Sequence, residues 1–438
     1  MMTTIQEIKK DRLIIFGRYP VPGNTKTRLI PGLGPLGAAD LQCRLTEKIL
    51  GTARRVAISR QIDIEFCFTG GSVDRMKRWL GSNLLFTRQP SGNLGESMHT
   101  TFVRAFNEGC NRVVLIGTDI SLLTEAHLEN AFNELVNSDL VLGPSSDGGY
   151  WLVGLNDPND IFSNVAWGTE TVLRETLDNA AKLCLSAALL DILTDIDTIA
   201  DIKEWRPEEA EKRPYISVII PTLNEDKNIA SAIKSATCEN TEIIVVDGGS
   251  TDNTVQCARK QGAKVVSSPK GRAIQQNRGA QMAKGKVLLF LHADTILPGH
   301  YEMHVFDAMM DPGLVAGAFT FKTDMPGWRM GGITIVTNFR AKFFKMPYGD
   351  QCLFIRKSVF ESIGGFPDVQ IAEDLFLIRA LKKMGRISIL PIEAITSSRR
   401  WKQIGILRTW IINQIIVIGC FIGVSPRRLS GLYRIRRR

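Results

Sequence analysis

Two α/β domains in tandem, each built on a mostly parallel sheet, are the fold class that the sequence predicts. Three observations carry it. The chain has 438 residues, enough for two to four domains at roughly 100–200 residues each. Apolar runs of strand length alternate with amphipathic helical stretches, the pattern of a parallel sheet with helices on both faces. The alternation stops in a charged stretch near residue 202 and then begins again.

In the first half the predicted strands are Leu13–Phe16, Ile62–Phe68, Val113–Ile116 and Leu140–Leu142. Helical patterns lie between them, at Leu36–Arg55 and Glu125–Val136. Ile202–Arg213 (IKEWRPEEAEKR) is dense in charge and holds Pro207, with Pro214 just after it. It reads as a linker or as a solvated surface helix. The expected division is residues 1–203, a linker at 204–214, and residues 215–438. The second half restarts with strands at Ile216–Ile220, Glu242–Val246, Ala263–Val266 and Val287–Leu291.

Composition narrows the class further. Hydrophobic residues make up 44% and charged residues 23%, which excludes collagen-like and wholly disordered chains. Mean hydropathy is zero, which argues against a polytopic membrane protein. Lys+Arg number 54 against 45 Asp+Glu, a net charge of +9, and such a balance suits an anionic partner. No aromatic–basic pattern of a nucleic-acid reader accompanies it, so no nucleic acid is expected. The eight cysteines are scattered, without C-x-x-C or zinc spacing, as in a reduced cytoplasmic protein. The opening MMTTIQEIKKDR lacks the apolar core of a secretory signal.

The second half carries the clearest chemistry. ISVIIPTLNE (216–225) is a buried strand running into Pro221, Asn224 and Glu225. IIVVDGGSTDNT ends a strand at Asp247, with Gly248 and Gly249 after it. VLLFLHADT ends a third strand at Asp294. In an open α/β sheet, ligands gather at the carboxyl ends of the strands. A carboxylate there can accept from a ribose or base, glycines admit close backbone approach, and a strand-end Asp can hold Mg²⁺ or Mn²⁺ against a diphosphate.

With KGRAIQQNRGA (270–280), these segments resemble the family-2 glycosyltransferases, which have the nucleotide-diphospho-sugar-binding GT-A fold. The resemblance implies that Pro221, Asn224, Glu225, Asp247 and Gly249 hold the nucleoside. It places Lys270, Arg272 and Asn277 along the donor and makes Asp294 the metal carboxylate, in an H-A-D version of the family's D-x-D. IAEDLF (371–376) matches the family's acidic pair, which makes Asp374 the base, beside Glu373. The same pair also suits the first turn of a helix. The YGDQ stretch (348–351) resembles an acceptor loop with Asp350 facing a hydroxyl; its alternative is a plain turn before a strand at Cys352–Ile355. Arg399-Arg400-Trp401 resembles the end of a Q-x-x-R-W motif with Ser397 in place of Gln, which argues against a processive polymerase. Arg400 would then meet the diphosphate and Trp401 a sugar.

Thr409–Val424 is apolar but 16 residues long, and SPRRLSGLYRIRRR follows with six arginines and no acid. A spanning helix needs about 20 residues. The segment reads as a core helix with a solvated tail or as an interfacial helix on an anionic membrane.

In the first half, LIIFGRYPVPGNTKTRL (13–29) ends a strand at Gly17 and turns through Gly23 to Lys26 and Arg28. Glycines, backbone N–H groups and two cations at a strand-to-helix turn can cradle phosphates. Asp119 closes the next strand, Asp147, Gly148 and Gly149 form a loop, and DIDT brings Asp195 and Asp197. Together these resemble a small transferase family, formerly a domain of unknown function and related to nucleotidyltransferases of molybdenum-cofactor and deazaflavin-cofactor synthesis. The resemblance implies a metal shared by Asp119 and Asp197, a phosphate loop and a substrate loop. Asn93, Ser97 and Ser121 depart from its pattern.

Chains that resemble these two families joined include arsenosugar-biosynthesis glycosyltransferases, also described as rSAM/selenodomain-associated transferases 1 and 2. Similar second halves include carotenoid-acid glucosyltransferases. The resemblance thus implies a metal-dependent glycosyltransferase that uses a nucleoside-diphosphate sugar with inversion. Its acceptor would be small or lipid-like, and its place cytoplasmic or peripheral on the inner face of a membrane. The first half would be a nucleotidyltransferase, a glycosyltransferase or a non-catalytic nucleotide-binding module.

Overall fold

The computed structural model describes residues 10–429. The chain divides into two compact units, Met1–Lys212 and Arg213–Arg438. In the first, β1 (Arg12–Arg18), β2 (Asp63–Thr69), β3 (Leu85–Arg88), β4 (Val113–Ile116), β5 (Leu140–Pro144), β6 (Tyr150–Leu155) and β7 (Ala187–Leu189) form one sheet. Its order is β3-β2-β1-β4-β6-β5-β7. β1 through β4 run parallel, and β6 is antiparallel to both neighbours.

The second unit repeats the plan with β8 (Ile216–Thr222), β9 (Thr241–Asp247), β10 (Lys264–Ser267), β11 (Val287–Phe290), β12 (Thr295–Ile296), β13 (Leu314–Thr323), β14 (Phe354–Arg356) and β15 (Arg386–Thr396). The order is β10-β9-β8-β11-β14-β13-β15-β12, with the first four strands parallel and β14 antiparallel to β11. In each unit the strand order reverses between the first strand and the fourth. That switch point leaves a crevice at the strands' carboxyl ends, where the sequence motifs fall.

Central strands are buried on both faces, which is why they read as unbroken apolar runs. Leu13, Ile14 and Ile15 are fully buried, as are Val218, Ile219 and Ile220. The cores sit between sheet and helices, around Phe102 and Leu142 in one unit and around Phe290 and Ile355 in the other.

Several elements differ from expectation. The charged stretch read as a linker folds in part. A helix spans Ile199–Trp205 and a 3-10 turn Pro207–Glu209. Ile202 is fully buried, Trp205 and Ala210 pack on the cluster that holds Leu29, Leu41 and Ile202, and Glu209 pairs with Arg44. The i, i+3, i+6 placing of Ile199, Ile202 and Trp205 outweighs the surrounding charge. The expected strand at Cys352–Ile355 begins later, at Phe354, because Gly349–Gln351 forms a 3-10 turn. After the turn that follows β8, a helix spans Ile229–Ala236. Helix Trp328–Phe344 has no counterpart in the sequence reading, since Gly331 and Gly332 interrupt its pattern.

The apolar run near the C-terminus is a helix, Ile406–Phe421. No helix among the described residues is long and apolar enough to cross a membrane. Residues 430–438, which hold four of the tail arginines, lie outside the described residues.

Candidate active sites

In the second unit a cavity of about 450 Å³ opens beside the carboxyl end of β11. Its polar wall holds Arg272, His292, Asp294, Asp350, Glu373 and Asp374. Arg400 and Trp401 close one side, and Thr409, Asn413, Ile416 and Val417 of the 406–421 helix form another. Residues more than 100 positions apart thus meet because β8, β11 and β14 lie side by side.

Asp374 opens the helix Glu373–Met384. Its Oδ2 accepts from the Gly349 N–H at 3.0 Å, while Oδ1 is buried without a hydrogen-bond partner. Burial first, and then the charge of Glu373, push its carboxyl up to about 7. Asp350, half-buried with its own Oδ1 unpartnered, is raised by desolvation, opposed by Arg340 and Arg272. His292 is pushed down to about 3 by burial and by Arg272, so its imidazole is neutral at ordinary pH, with Nε2 unpartnered. Gly349 sits between these groups. A Cβ there would fall 2.6 Å from Asp374 Oδ2 and 2.8 Å from His292 Nε2, so only glycine lets the loop pass.

Asp294 has its carboxyl raised by burial and by Glu225. Arg399 reaches both acids, at 2.5 Å from Glu225 Oε1 and 3.7 Å from Asp294 Oδ2. Sequence reasoning passed over Arg399 in favour of Arg400, because the R-W spacing named only the latter. Arg340 was missed as well. Its guanidinium lies 3.7 Å from the ring centre of Tyr348, on a helix absent from the sequence reading.

The expected nucleoside residues lie along the neighbouring strand ends. Asn224, in the left-handed conformation at φ 57, accepts from Thr251 N at 2.8 Å, and its own N–H donates to Ser250 Oγ at 2.9 Å. Asp247 accepts from Gly249 N at 3.0 Å and from Ser250 N and Oγ, so in the free protein it organises its own loop. Gly249 takes φ 93. Pro221 lies within β8, paired with Val246. Gln275, another residue the sequence did not flag, donates to Thr222 O and Val246 O at 2.8 Å each and ties the helix Arg272–Met282 to both strands. Asn277 uses both amide ends on the Phe366 backbone, at 2.8 and 2.9 Å, and does not line the cavity. Lys270 is exposed in the loop before that helix. Arg272 faces Glu373 at 3.5 Å.

In the first unit, Gly17 lies in β1 and Gly23 takes φ 83. Lys26 then turns back into the sheet edge. Its ammonium donates to Ile196 O at 2.6 Å and lies 3.2 Å from Asp119 and 3.5 Å from Asp197. Arg28 meets Asp197 at 3.6 Å. Asp195 is pushed up to about 7, by burial and then by Asp119, Asp147 and Asp197. Asp147 accepts from Ser145 Oγ and from Gly149 N. A Cβ on Gly148 would fall 2.2 Å from the Glu170 backbone. The lysine ammonium thus takes the position between Asp119 and Asp197 that a shared metal would need. Among the described residues, no group of three or more His, Cys, Asp or Glu could hold a metal ion. The departures noted in sequence have local roles. Asn93 caps the helix Leu94–Asn107 in a capping box with Glu96, and Ser97 donates to Pro90 O. Ser121 accepts from Lys48 through its carbonyl.

Comparison with known proteins finds one family match in each unit. Residues 217–364 match the family model described as glycosyl transferase family 2. Residues 52–169 match DUF2064, described as an uncharacterized protein conserved in bacteria. The chain joins these two families.

The family 2 match ends before Asp374, Arg399–Trp401 and the 406–421 helix, and the DUF2064 match contains neither Lys26 nor Asp197. A curated relative, the PGL/p-HBAD biosynthesis glycosyltransferase of Mycobacterium bovis (strain BCG / Pasteur 1173P2), is 31% identical over 170 residues. That stretch is 35% of this chain and 63% of the relative, so this chain spans less than two thirds of it. A solved structure from Desulfovibrio desulfuricans G20, assigned provisionally as a nucleotide-diphospho-sugar transferase, is 30% identical. It covers 46% of this chain and 88% of its own, with a TM-score of 0.43. The mannosyltransferase PcManGT of Pyrobaculum calidifontis, solved with GDP-Man and Mn²⁺, is 19% identical. It covers 42% of this chain and 56% of its own, with a TM-score of 0.34.

Proposed function

We propose that the family 2 unit transfers a sugar from a nucleoside-diphosphate donor to a hydroxyl or carboxyl acceptor, with inversion. The observation that carries this is Asp374. Its side chain lines the cavity, with one oxygen fixed by the Gly349 N–H and the other buried and unpartnered. A carboxyl poised near neutrality suits a general base.

In this reading Asp374 Oδ1 takes the acceptor proton as the acceptor oxygen bonds to the anomeric carbon. The carbon–oxygen bond to the diphosphate breaks, and the diphosphate leaves with the electron pair. Attack opposite the leaving group inverts the centre. Arg272 and Arg400 meet the developing charge. Asp294 is the residue that would hold Mg²⁺ or Mn²⁺; a single carboxylate suits these ions when substrate phosphates complete the shell. The ion's contribution when bound is to neutralise the departing diphosphate. Glu225, Asp247 and the 247–252 loop would hold the nucleoside. Arg399 would release Glu225 and Asp294 as donor and ion enter. Asp350 and Trp401, which line the same cavity, would hold the acceptor, whether an arsenosugar type or a glycolipid or carotenoid type.

For the DUF2064 unit, Lys26 between Asp119 and Asp197 favours a nucleotide-binding module over a metal-dependent nucleotidyltransferase, since the residues as arranged do not fit a shared metal. The test for the family 2 unit is turnover of a nucleotide-sugar panel by the whole chain and by Asp374→Asn. Loss of transfer with retained donor binding supports the assignment; wild-type transfer by the variant rejects it.

A further inference from the structure

The helix Trp328–Phe344 turns an apolar stripe outward. Trp328, Ile335, Val336, Phe339 and Phe343 lie within one face at helical spacing, and they are 51–83% exposed. Phe339 and Phe343 stack on each other with ring centres 5.5 Å apart. The helix and its C-cap carry Arg329, Arg340, Lys342 and Lys345 and no acid.

The 406–421 helix repeats the device. Its inner face, including Ile416 and Cys420, packs with Leu375, and the same side lines the cavity. Its opposite stripe, Leu407, Ile411, Ile415 and Ile418, with Ile422 just beyond, is 42–74% exposed. From residue 394 to the end the sequence holds ten Lys and Arg and no Asp or Glu. The two helices pack against each other, so two exposed apolar stripes lie on neighbouring elements, and neither helix carries an acid. A contiguous exposed apolar surface of this kind marks an interaction site.

We infer that these two helices dock the chain on the surface of an anionic lipid bilayer. The charge decides the occupant. Apolar stripes alone would suit a protein groove equally, whereas aromatic and aliphatic side chains beside the exposed Arg329, Lys342, Lys345 and Arg408, on helices that carry no acid, match an acyl boundary beneath anionic headgroups. Neither helix can span a bilayer, so contact is at the interface. One helix would then touch lipid on its outer face and wall the cavity on its inner face, which brings a lipid-like acceptor to the site without a passage through water. The docking itself does not rest on the transferase reading.

The test is flotation of the full chain with phosphatidylcholine vesicles, with and without phosphatidylglycerol. Binding is expected to the anionic vesicles only, falling steeply with salt. Phe339→Ser with Phe343→Ser should weaken it on the order of ten-fold or more. Arg329→Glu with Lys342→Glu should abolish the preference for phosphatidylglycerol while leaving thermal stability unchanged. These four residues lie outside the catalytic machinery, so donor hydrolysis should survive in both variants and report a folded site. Failure of the wild-type chain to bind anionic vesicles overturns the inference. So does a concentration-dependent dimer that the phenylalanine variant dissolves, since a second copy would then be the occupant. Loss of donor hydrolysis in the wild-type chain would strike the transferase reading and leave the docking result standing.

Discussion

Replacing Asp374 by asparagine tests the chemistry and the electrostatics of the family 2 unit together. Asn keeps an acceptor oxygen for the Gly349 N–H, which bonds Asp374 Oδ2 at 3.0 Å, so the loop geometry should persist. What it removes is the base and its charge. Loss of a positioned general base costs roughly 10²–10⁴-fold in rate, and transfer should fall within that range. The electrostatic effect has the opposite sign. At about 1.4 kcal/mol per pH unit, a rise from 3.8 to about 7 costs the ionised carboxylate about 4 kcal/mol. A carboxyl raised on folding contributes stability below its unfolded value and loses it as pH rises through the folded one. The wild-type protein should therefore lose stability between pH 4 and pH 8, and the variant should lose less. At pH 8 it should be the more stable, by up to about 4 kcal/mol. The assays are acceptor-dependent transfer at saturating donor and denaturant unfolding at pH 5 and pH 8. Wild-type transfer rates in the variant would refute the assignment of the base. A variant less stable than wild type at pH 8 would refute the burial argument.

Other outcomes follow from the same geometry. Transfer by the wild-type chain should rise as pH increases through about 7, because Asp374 must be ionised to accept a proton; a rate flat from pH 5 to 8 would contradict this. Gly349→Ala places a Cβ 2.6 Å from Asp374 Oδ2, and should cut turnover and cost about 1–3 kcal/mol of stability, read by kinetics and unfolding. His292, held down to about 3, should stay neutral in a proton NMR titration to pH 5. Because its folded value is depressed, it removes stability as pH falls below its ordinary 6.5, and His292→Gln should soften acid unfolding. Lys26→Met leaves Asp119 and Asp197 facing each other without the ammonium, and should destabilise the first unit by about 1–3 kcal/mol, read by denaturant unfolding.

Much of this arrangement was legible in the chain, and the reason is physical. Buried parallel strands need long apolar runs, so β1, β4, β8, β9 and β11 announced themselves, and their carboxyl ends named Asp119, Asp247 and Asp294. Edge and antiparallel strands carry mixed patterns, which is why β3, β7, β12 and β15 left little trace. Spacing also cannot show what a side chain does once placed. Asn277 looked like a donor contact and instead holds the Phe366 backbone. Arg399 and Arg400 are adjacent in sequence, yet Arg399 bonds Glu225 while Arg400 lines the cavity. Lys26 looked like part of a phosphate loop, and only the fold brings it between two aspartates. The 328–344 helix was hidden because its apolar stripe faces solvent and a glycine pair breaks its pattern.

The central claim is that sugar-donor chemistry belongs to the second unit. The most direct measurement is hydrolysis of a nucleotide-sugar panel by the whole chain with Mn²⁺ or Mg²⁺, run beside Asp294→Ala and Asp119→Ala. Turnover lost in Asp294→Ala and kept in Asp119→Ala is the predicted result. Turnover lost only in Asp119→Ala would place the chemistry in the first unit and contradict the account.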